Sequence, residues 1–259
     1  AAAPGLRWIQ SFSAGMDNYL FDEIVARAQV QVSNTAGLYA PQGGEHAWAL
    51  LLALTRGVHH SLDNMRRRHW GGVNVVELSG GTLGIVGLGG FGLETLKRAA
   101  GYDMEILALD PMRQDKPAGV AELKKPTPQN LQDLLGRADA VIVACPRTPE
   151  TYHLFNAEAF KAMKNSAFLV NVTRGGIIDE SALATALHQK EIAGAALDVF
   201  QTEPLPKGHP LWSHANVTVT PHIAALTLPT TAGPVIADIV HAAQAGKPIP
   251  HRVNAKRGY

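Results

Sequence analysis

Residues 82–92 read Thr82-Leu83-Gly84-Ile85-Val86-Gly87-Leu88-Gly89-Gly90-Phe91-Gly92 and carry the most specific pattern of the chain. The first five of these residues are mostly apolar and predict a buried strand, and residues 93–100 predict a helix. Between them, Gly87 allows a tight turn, Gly89 lets the backbone approach a pyrophosphate, and Gly92 lets helix and strand pack closely. The N-terminus of such a helix offers N–H groups to phosphates. The stretch therefore predicts a dinucleotide-binding turn.

A carboxylate follows at the end of the next predicted strand. Asp110 lies near the spacing of about 20 residues at which dinucleotide-binding units place an acidic residue on the adenosine ribose. A carboxylate there accepts hydrogen bonds from the ribose hydroxyls and repels a 2′-phosphate, which favours NAD over NADP. Arg113 keeps NADP open, because a nearby arginine can accommodate that phosphate. A turn-capping role for Asp110 before Pro111 is the other interpretation.

Strands and helices alternate from this stretch onward, which predicts an α/β protein with a doubly wound parallel sheet. The predicted strands of this sheet are 82–86, 105–109, 140–144, 167–172, 194–199 and 217–220. Shorter strands are predicted at 6–10 and within 26–32, and a buried helix at 47–55. Thr127, Asn156 and Ser181 are the candidate N-caps of further helices.

Composition excludes several classes of protein. Of the 259 residues, 46% are hydrophobic, which is enough to form a sizeable core. The formal net charge is +1, so the chain lacks the basic excess that is typical of nucleic-acid-binding proteins. The longest apolar run, 47–54, is far shorter than the roughly 20 residues of a membrane helix. Cys145 is the single cysteine, which excludes a disulfide framework and a multi-cysteine zinc site. Because the first residues also lack the pattern of a secretory signal, we expect a cytoplasmic protein without a metal site.

Three later segments end predicted strands with residues that can do chemistry. They are 170–179, 197–204 and 219–225, and they carry Arg174, Glu203 and His222. Arginine offers a fork of donors that matches a carboxylate, and histidine gives and takes a proton near neutral pH. A glutamate can hydrogen-bond the imidazole and fix its tautomer. Each residue alone is more typical of a surface loop, but open α/β sheets bind ligands beyond the carboxyl ends of their strands, so the set predicts an active site.

Together with 87–92 and Cys145-Pro146-Arg147-Thr148-Pro149-Glu150-Thr151, these segments resemble the D-isomer-specific 2-hydroxy acid dehydrogenase family over nearly the whole chain. The resemblance implies an NAD-dependent oxidoreductase that transfers a hydride between the cofactor and a small 2-keto or D-2-hydroxy acid. It implies that Arg174, Glu203 and His222 are catalytic. It also implies a Rossmann dinucleotide-binding domain, 39–228, inserted into a smaller, discontinuous flavodoxin-like substrate domain, 1–38 and 229–259.

The resemblance implies further contacts. Phe91 and Gly92 would meet the pyrophosphate through backbone N–H groups, and Asp198 would accept a hydrogen bond from the nicotinamide carboxamide. The other implied cofactor contacts are Cys145, whose thiol does no chemistry, Pro146, Thr151 and Thr173. Ala14 and Gly15 would bind the substrate carboxylate alongside Arg174. A plain turn is the alternative for that loop, and the match of its flanks, 9–12 and Met16-Asp17-Asn18, favours binding.

Three expectations complete the sequence-based picture. The two predicted pieces of the substrate domain fall short of the about 100–150 residues of a typical domain, so part of its N-terminal half is expected to be missing. A homodimer is implied through the helix near 47–56 and the arm after it, with Trp48 and Trp70 suited to the interface. The functional alternatives are an NAD(H)-sensing interaction protein of the same fold, similar to transcriptional co-repressors, and a formate dehydrogenase, which has glutamine at the position of Glu203.

Overall fold

The computed structural model describes residues 3–16, 24, 26–27 and 29–254, and the chain divides into two units. The larger unit is Gln42–Ala224, and the smaller one combines Ala1–Pro41 with Ala225–Tyr259. Asp17 and Asn18, part of the sequence match around the predicted substrate loop, lie outside the described residues.

The larger unit is built on a seven-stranded sheet in which every neighbouring pair is parallel. The strands are β3 (Thr82–Val86), β4 (Glu105–Leu109), β5 (Glu122–Lys124), β6 (Ala140–Val143), β7 (Phe168–Asn171), β8 (Gly194–Leu197) and β9 (Val217–Val219). Their order is β5-β4-β3-β6-β7-β8-β9, so the direction of winding reverses between β3 and β6. This arrangement confirms the predicted doubly wound parallel sheet, and the reversal marks where such sheets bind ligands.

The predicted strands of this sheet are all present, some one or two residues shorter than expected. The β5 strand was not predicted. Its sequence, Glu122-Leu123-Lys124, is short, partly polar and only half-buried, because β5 lies at the edge of the sheet. Apolar residues identified β9 at the opposite edge, Val217-Thr218-Val219, whereas the charged ends of β5 left no apolar run to recognise.

Helices of the larger unit cover both faces of its sheet, and the helix at Pro229–Gln244 belongs to the smaller unit. The helices of the described residues are α1 (Ala40–Thr55), α2 (Val58–Arg66), α3 (Gly90–Ala99), α4 (Pro128–Arg137), α5 (Ala157–Ala162), α6 (Glu180–His188) and α7 (Pro229–Gln244), with a 3₁₀ turn at Pro210–Ser213. Leucines and other apolar side chains of α4, α5 and α6 join one buried cluster. Those of α1 and α3 join a second cluster on the opposite face. None of the described helices is both long and apolar enough to cross a membrane.

Helix starts follow their capping residues. Thr127 caps α4 by accepting a hydrogen bond from the Asn130 N–H, and Asn156 caps α5, as predicted. The prediction of Ser181 as a cap was wrong. Asp179 caps α6, because its carboxylate accepts from the N–H groups of Ser181 and Ala182.

In the smaller unit, β1 (Trp8–Gln10) and β2 (Gln31–Ser33) form a parallel pair. The C-terminal segment joins them, because the Val253 N–H donates to the Val32 carbonyl at 2.8 Å. Both ends of the described chain therefore contribute to this unit.

Candidate active site

The glycine turn after β3 has the geometry of a phosphate cradle. Gly87 adopts a φ of +99°, and a side chain there would meet the backbone of Cys145 at 2.7 Å. A Cβ on Gly92 would overlap the Gly87 carbonyl oxygen, so only glycine lets α3 start this close to the strand. By contrast, no atom lies within 4 Å of a Cβ built on Gly89. Open space thus lies at the N-terminus of α3, and this fits a pyrophosphate.

Asp110 ends β4 and is tied to the same turn. One carboxylate oxygen accepts from the Leu88 N–H, and the other accepts from the N–H groups of Met112 and Arg113, each at 2.8 Å. The guanidinium of Arg113 lies near the turn, 3.4 Å from the Leu88 carbonyl, and pairs with Asp115 at 2.9 Å. The side chain of Asp110 is half-buried. It caps its turn, as the alternative interpretation held, and remains accessible at the edge of the cradle.

The loop after β6 borders the glycine turn. Cys145 is buried, and burial raises the pKa of its thiol to about 12. The hydroxyl of Thr151 accepts from the Thr148 N–H at 2.7 Å and donates to the Pro146 carbonyl at 2.8 Å. These residues shape the loop, and the thiol is held in its neutral form at physiological pH.

Sequence reasoning missed how α1 supports the cradle. Gly43, within α1, lies where a Cβ would be 2.5 Å from the ring of Phe91, and a Cβ on Gly44 would be 2.7 Å from the Cβ of Glu94. Two adjacent glycines are unfavourable inside a helix. The presence of two glycines in a helix could therefore have indicated that α1 packs closely against another segment, here α3.

Arg174 follows β7 in a loop organised by Asn171. The Asn171 side chain accepts from both the N–H and the hydroxyl of Thr173, and donates to the Arg174 carbonyl at 2.9 Å. The Arg174 guanidinium donates to the Thr173 carbonyl at 2.7 Å. A Cβ on Gly175 would overlap the Phe200 carbonyl. The loop of Arg174 is therefore packed against the loop that carries Glu203.

Glu203 and His222 are in direct contact. One carboxylate oxygen of Glu203 lies 2.6 Å from Nδ1 of His222, and the other accepts from the Phe200 N–H at 2.8 Å. The side chain of His222 is 44% exposed, so its ring is reachable from solvent. Glu203 is thus fixed at one oxygen by its own loop and holds the imidazole with the other.

Asp198 holds the loop that presents His222. Its carboxylate is fully buried and accepts from the Thr220 hydroxyl at 2.6 Å and from the N–H groups of Ile223 and Ala224 at 2.9 and 2.8 Å. Burial alone would raise the pKa of this carboxyl, but hydrogen bonds from His46, Thr220 and these N–H groups outweigh it, and the pKa is lowered. The predicted bond to a nicotinamide carboxamide would need this side chain to shift, because both oxygens are engaged and covered.

Two supporting groups were also missed. His46 of α1 contacts Asp198 and Thr220. Its position as a polar residue next to the apolar run 47–54 was the one sequence feature that could have indicated a buried polar contact. Glu180 accepts from the Gln201 N–H at 2.6 Å and pairs with His209 at 3.1 Å. No sequence pattern links Glu180 with the loop of Glu203.

The predicted substrate loop lies in the smaller unit, after β1. The Ala14 carbonyl accepts from the Asn34 side chain at 2.8 Å, and the Phe12 carbonyl accepts from the hydroxyls of Thr35 and Tyr39. Gly15 follows in irregular backbone. The loop is therefore an ordered turn, held by residues that follow β2.

Comparison with known proteins places these observations in a family. The family model described as "D-isomer specific 2-hydroxyacid dehydrogenase, NAD binding domain" matches residues 48–224. That range begins within α1 and ends with the His222 loop.

Relatives are similar over most of the chain. A glyoxylate reductase of Thermofilum pendens is 39% identical over 88% of this chain and 68% of its own length. A D-3-phosphoglycerate dehydrogenase of Mycobacterium bovis is 38% identical over the whole chain, which spans 49% of that protein. A solved structure from Xanthobacter autotrophicus Py2, a D-isomer specific 2-hydroxyacid dehydrogenase in complex with NADPH and MES, is 31% identical with a TM-score of 0.84, covering 99% of this chain and 80% of that one.

Proposed function

The chain belongs to the D-isomer specific 2-hydroxyacid dehydrogenase family, and on that premise we propose that it reduces small 2-keto acids with a nicotinamide dinucleotide, or oxidises the corresponding D-2-hydroxy acids. The observation that carries this proposal is the 2.6 Å contact between Glu203 and Nδ1 of His222 beyond the carboxyl ends of β8 and β9. A carboxylate at one ring nitrogen leaves the other, Nε2, to exchange a proton with a substrate oxygen.

Each catalytic residue has a distinct task in this proposal. His222 delivers its Nε2 proton to the developing alkoxide during reduction and takes it back during oxidation. Glu203 fixes the orientation of the ring through its contact with Nδ1. Arg174 binds the substrate carboxylate through its guanidinium fork and so orients the keto carbon. When bound, the dinucleotide supplies or accepts the hydride.

The cofactor contacts belong to the same proposal. Gly87, Gly89 and Gly92 form the turn that receives the pyrophosphate, with the N–H groups of Phe91 and Gly92 as donors. Pro146, Thr151 and Cys145 line the nucleotide side, and Thr173 lies beside the nicotinamide. Asp198, the proposed acceptor for the carboxamide, would have to exchange one of its present hydrogen bonds for that contact. Ala14 and Gly15 are proposed as backbone donors to a substrate carboxylate, and the sequence match around their loop supports that assignment.

We propose NAD(H) as the preferred form of the cofactor. Asp110 stands at the edge of the cradle, and the Arg113 charge that could attract a 2′-phosphate is offset by its pair with Asp115. The Lys125 ammonium also lies at this corner, where it donates to the Pro111 and Arg113 carbonyls at 2.7 and 3.2 Å. The expected repulsion of a 2′-phosphate therefore comes from the position of the Asp110 carboxylate and not from a net charge. The similar structure from Xanthobacter autotrophicus holds NADPH, so the proposed preference rests on Asp110 of this chain and not on that relative.

We also propose a homodimer formed through the arm that begins at α2. The described contacts of α2 bury none of its residues, and the arm exposes apolar side chains of Leu62, Met65, Trp70 and Val75. An apolar segment of this kind is typical of an interface. Trp48 is not available to it, contrary to expectation, because its ring is buried, stacks on Tyr102 and donates to the Thr95 carbonyl. Sedimentation at micromolar concentration tests the proposal, and a monomer would contradict it.

The activity is tested by loss of NADH absorbance with glyoxylate, hydroxypyruvate, pyruvate and phenylpyruvate, and by NAD reduction with D-3-phosphoglycerate. We expect turnover with at least one small 2-keto acid. Because reduction consumes a proton and oxidation releases one, lower pH should favour reduction and higher pH should favour oxidation. Dinucleotide binding without turnover of any of these acids would instead favour the NAD(H)-sensing interaction protein.

A further inference from the structure

His46 contacts the network beneath the catalytic loop although it lies far away in the sequence. It belongs to α1, and its side chain is 18% exposed. Its Nε2 atom lies 3.0 Å from the Thr220 hydroxyl and 3.3 Å from a carboxylate oxygen of Asp198. Both partners belong to the strand ends that carry the catalytic pair, since Asp198 follows β8 and Thr220 follows β9.

The hydrogen bonds of this network determine which nitrogen of His46 carries a proton. Thr220 has a single hydroxyl hydrogen, and it is donated to Asp198 at 2.6 Å. The Thr220 oxygen can then only accept, and an ionised carboxylate also only accepts. Nε2 of His46 must therefore be protonated and donate to this pair.

The loop supported by the network holds His222 in an unusual backbone conformation. His222 has a φ of +54°, in the left-handed region that residues other than glycine rarely adopt. Its N–H donates to the Asp198 carbonyl at 2.8 Å, and the next two N–H groups donate to the Asp198 carboxylate. Such a conformation persists only where its surroundings over-determine it.

Among the described donors to the Asp198 carboxylate, His46 is the one that comes from outside residues 220–224. It therefore fixes the position of the carboxylate relative to α1, while the other donors fix the loop relative to the carboxylate. The Asp198 backbone is held separately, because its N–H donates to the Asn171 carbonyl at 3.0 Å. Without His46, the Asp198 side chain could therefore rotate and carry the N–H groups of the His222 loop with it.

We propose that His46 is a positioning residue for the reaction, which anchors Asp198 and Thr220 to α1 and thereby holds the imidazole of His222 where it exchanges its proton. This inference rests on the proposed function for its kinetic consequences. The anchoring itself consists of contacts within the chain and can be tested without enzyme activity.

The test compares His46→Leu, which removes the donor, with His46→Gln, whose side-chain amide nitrogen is the same number of bonds from Cβ as Nε2. Glu45→Gln is the matched control, since Glu45 is adjacent on α1, is 69% exposed and pairs with Arg98. Thr220→Val removes the bridging hydroxyl, and the double variant with His46→Leu completes a cycle.

We expect His46→Leu to lower kcat about tenfold with a smaller change in KM, because the proton donor is displaced more than the substrate anchor. His46→Gln should recover most of the loss, and Glu45→Gln should resemble the unmodified protein. Thr220→Val should act like His46→Leu, with the double variant no worse than either single one. Unchanged kcat in His46→Leu, or effects that multiply in the double variant, would overturn the proposal.

A second measurement separates this inference from the proposed activity. The imidazole NMR signals of His222, assigned through their loss in His222→Ala, should shift or broaden in His46→Leu and not in Glu45→Gln. If the unmodified protein reduces no 2-keto acid, the proposed function fails while this shift still tests the anchoring. Identical His222 signals in a folded His46→Leu protein, checked by circular dichroism, would reject the anchoring whatever the activity.

Discussion

Asp110 and Asp198 occupy the same place on two parallel strands, yet the structure uses them in opposite ways. Each directly follows a leucine that ends its strand, β4 or β8. Asp110 stays half-buried at the edge of the glycine turn, whereas Asp198 is fully buried and bonded to the loop of His222. The sheet edge after β3, β4 and β6, the proposed nucleotide side, thus has a carboxylate that caps its own turn and is still reached by solvent. The chemical side, after β7, β8 and β9, uses its carboxylate as internal support.

The largest effect should come from the chemical side. His222→Ala should lower turnover by roughly 10²–10⁴-fold, the usual range for a lost general acid. Because the nucleotide side does not depend on this ring, NADH affinity, measured by fluorescence, should change little. His188→Ala, an exposed histidine at the end of α6, is the control. Near-normal turnover in His222→Ala would assign the proton to another group.

The next largest effect should distinguish Gly92, which stability requires, from Gly89, which dinucleotide binding requires. Gly92→Ala places a methyl group on the Gly87 carbonyl and should destabilise the protein by about 3 kcal/mol, as measured by urea unfolding. Gly89→Ala has open space and a φ of −73°, so stability should be retained while dinucleotide affinity falls. Equal stability of the two variants would contradict the close approach of α3 to the turn.

Replacing each aspartate in turn by the isosteric asparagine compares their contributions to the free energy of unfolding directly. Asp198→Asn should cost about 2 kcal/mol of unfolding free energy, because an amide cannot accept from all the buried donors. Asp110→Asn should cost less, since its side chain reaches solvent. The Asp198 pKa is lowered on folding, so its stabilising contribution is present above the ordinary value of 3.8 and is lost as pH falls through the lowered pKa. Urea unfolding of Asp198→Asn should therefore lack that part of the acid dependence, and an unaltered pH profile would argue against the role assigned to Asp198.

The smallest effect concerns cofactor choice. Asp110→Ala should narrow the preference for NADH over NADPH by about tenfold, or about 1.4 kcal/mol, because the repulsion of a 2′-phosphate is removed. Dissociation constants of both dinucleotides, measured for the variant and for the unmodified protein, give the ratio. Tighter binding of NADPH to the unmodified protein would reject the assignment of Asp110.

The sequence was a good guide wherever one local pattern determines the outcome. Continuous apolar runs located the central strands to within one or two residues, and the glycine spacing located the turn before α3. The contact of His222 with Glu203 was also anticipated, since both were expected at one edge of the sheet. Local patterns sufficed because a parallel sheet brings the ends of its strands together.

Contacts between distant segments could not be predicted in this way. Nothing in the residues around Trp48 indicates that its ring stacks on Tyr102 rather than facing a second copy. Likewise, the pattern after β8 does not show that the donors to Asp198 come from 220–224 and His46. Such partners depend on how helices pack across the sheet, and side-chain type alone does not specify that packing.

The modification rate of Cys145 can measure how often the structure opens beside the glycine turn. Cys145 is buried beside the glycine turn with a thiol pKa raised to about 12, so a thiol reagent can modify it only in molecules that have transiently opened there. The rate of modification then measures the population of open molecules, and each tenfold slowing corresponds to about 1.4 kcal/mol of added protection. A dinucleotide that binds only the closed form would slow the reaction by mass action, in proportion to its occupancy. One native side chain can thus report cofactor affinity without any turnover.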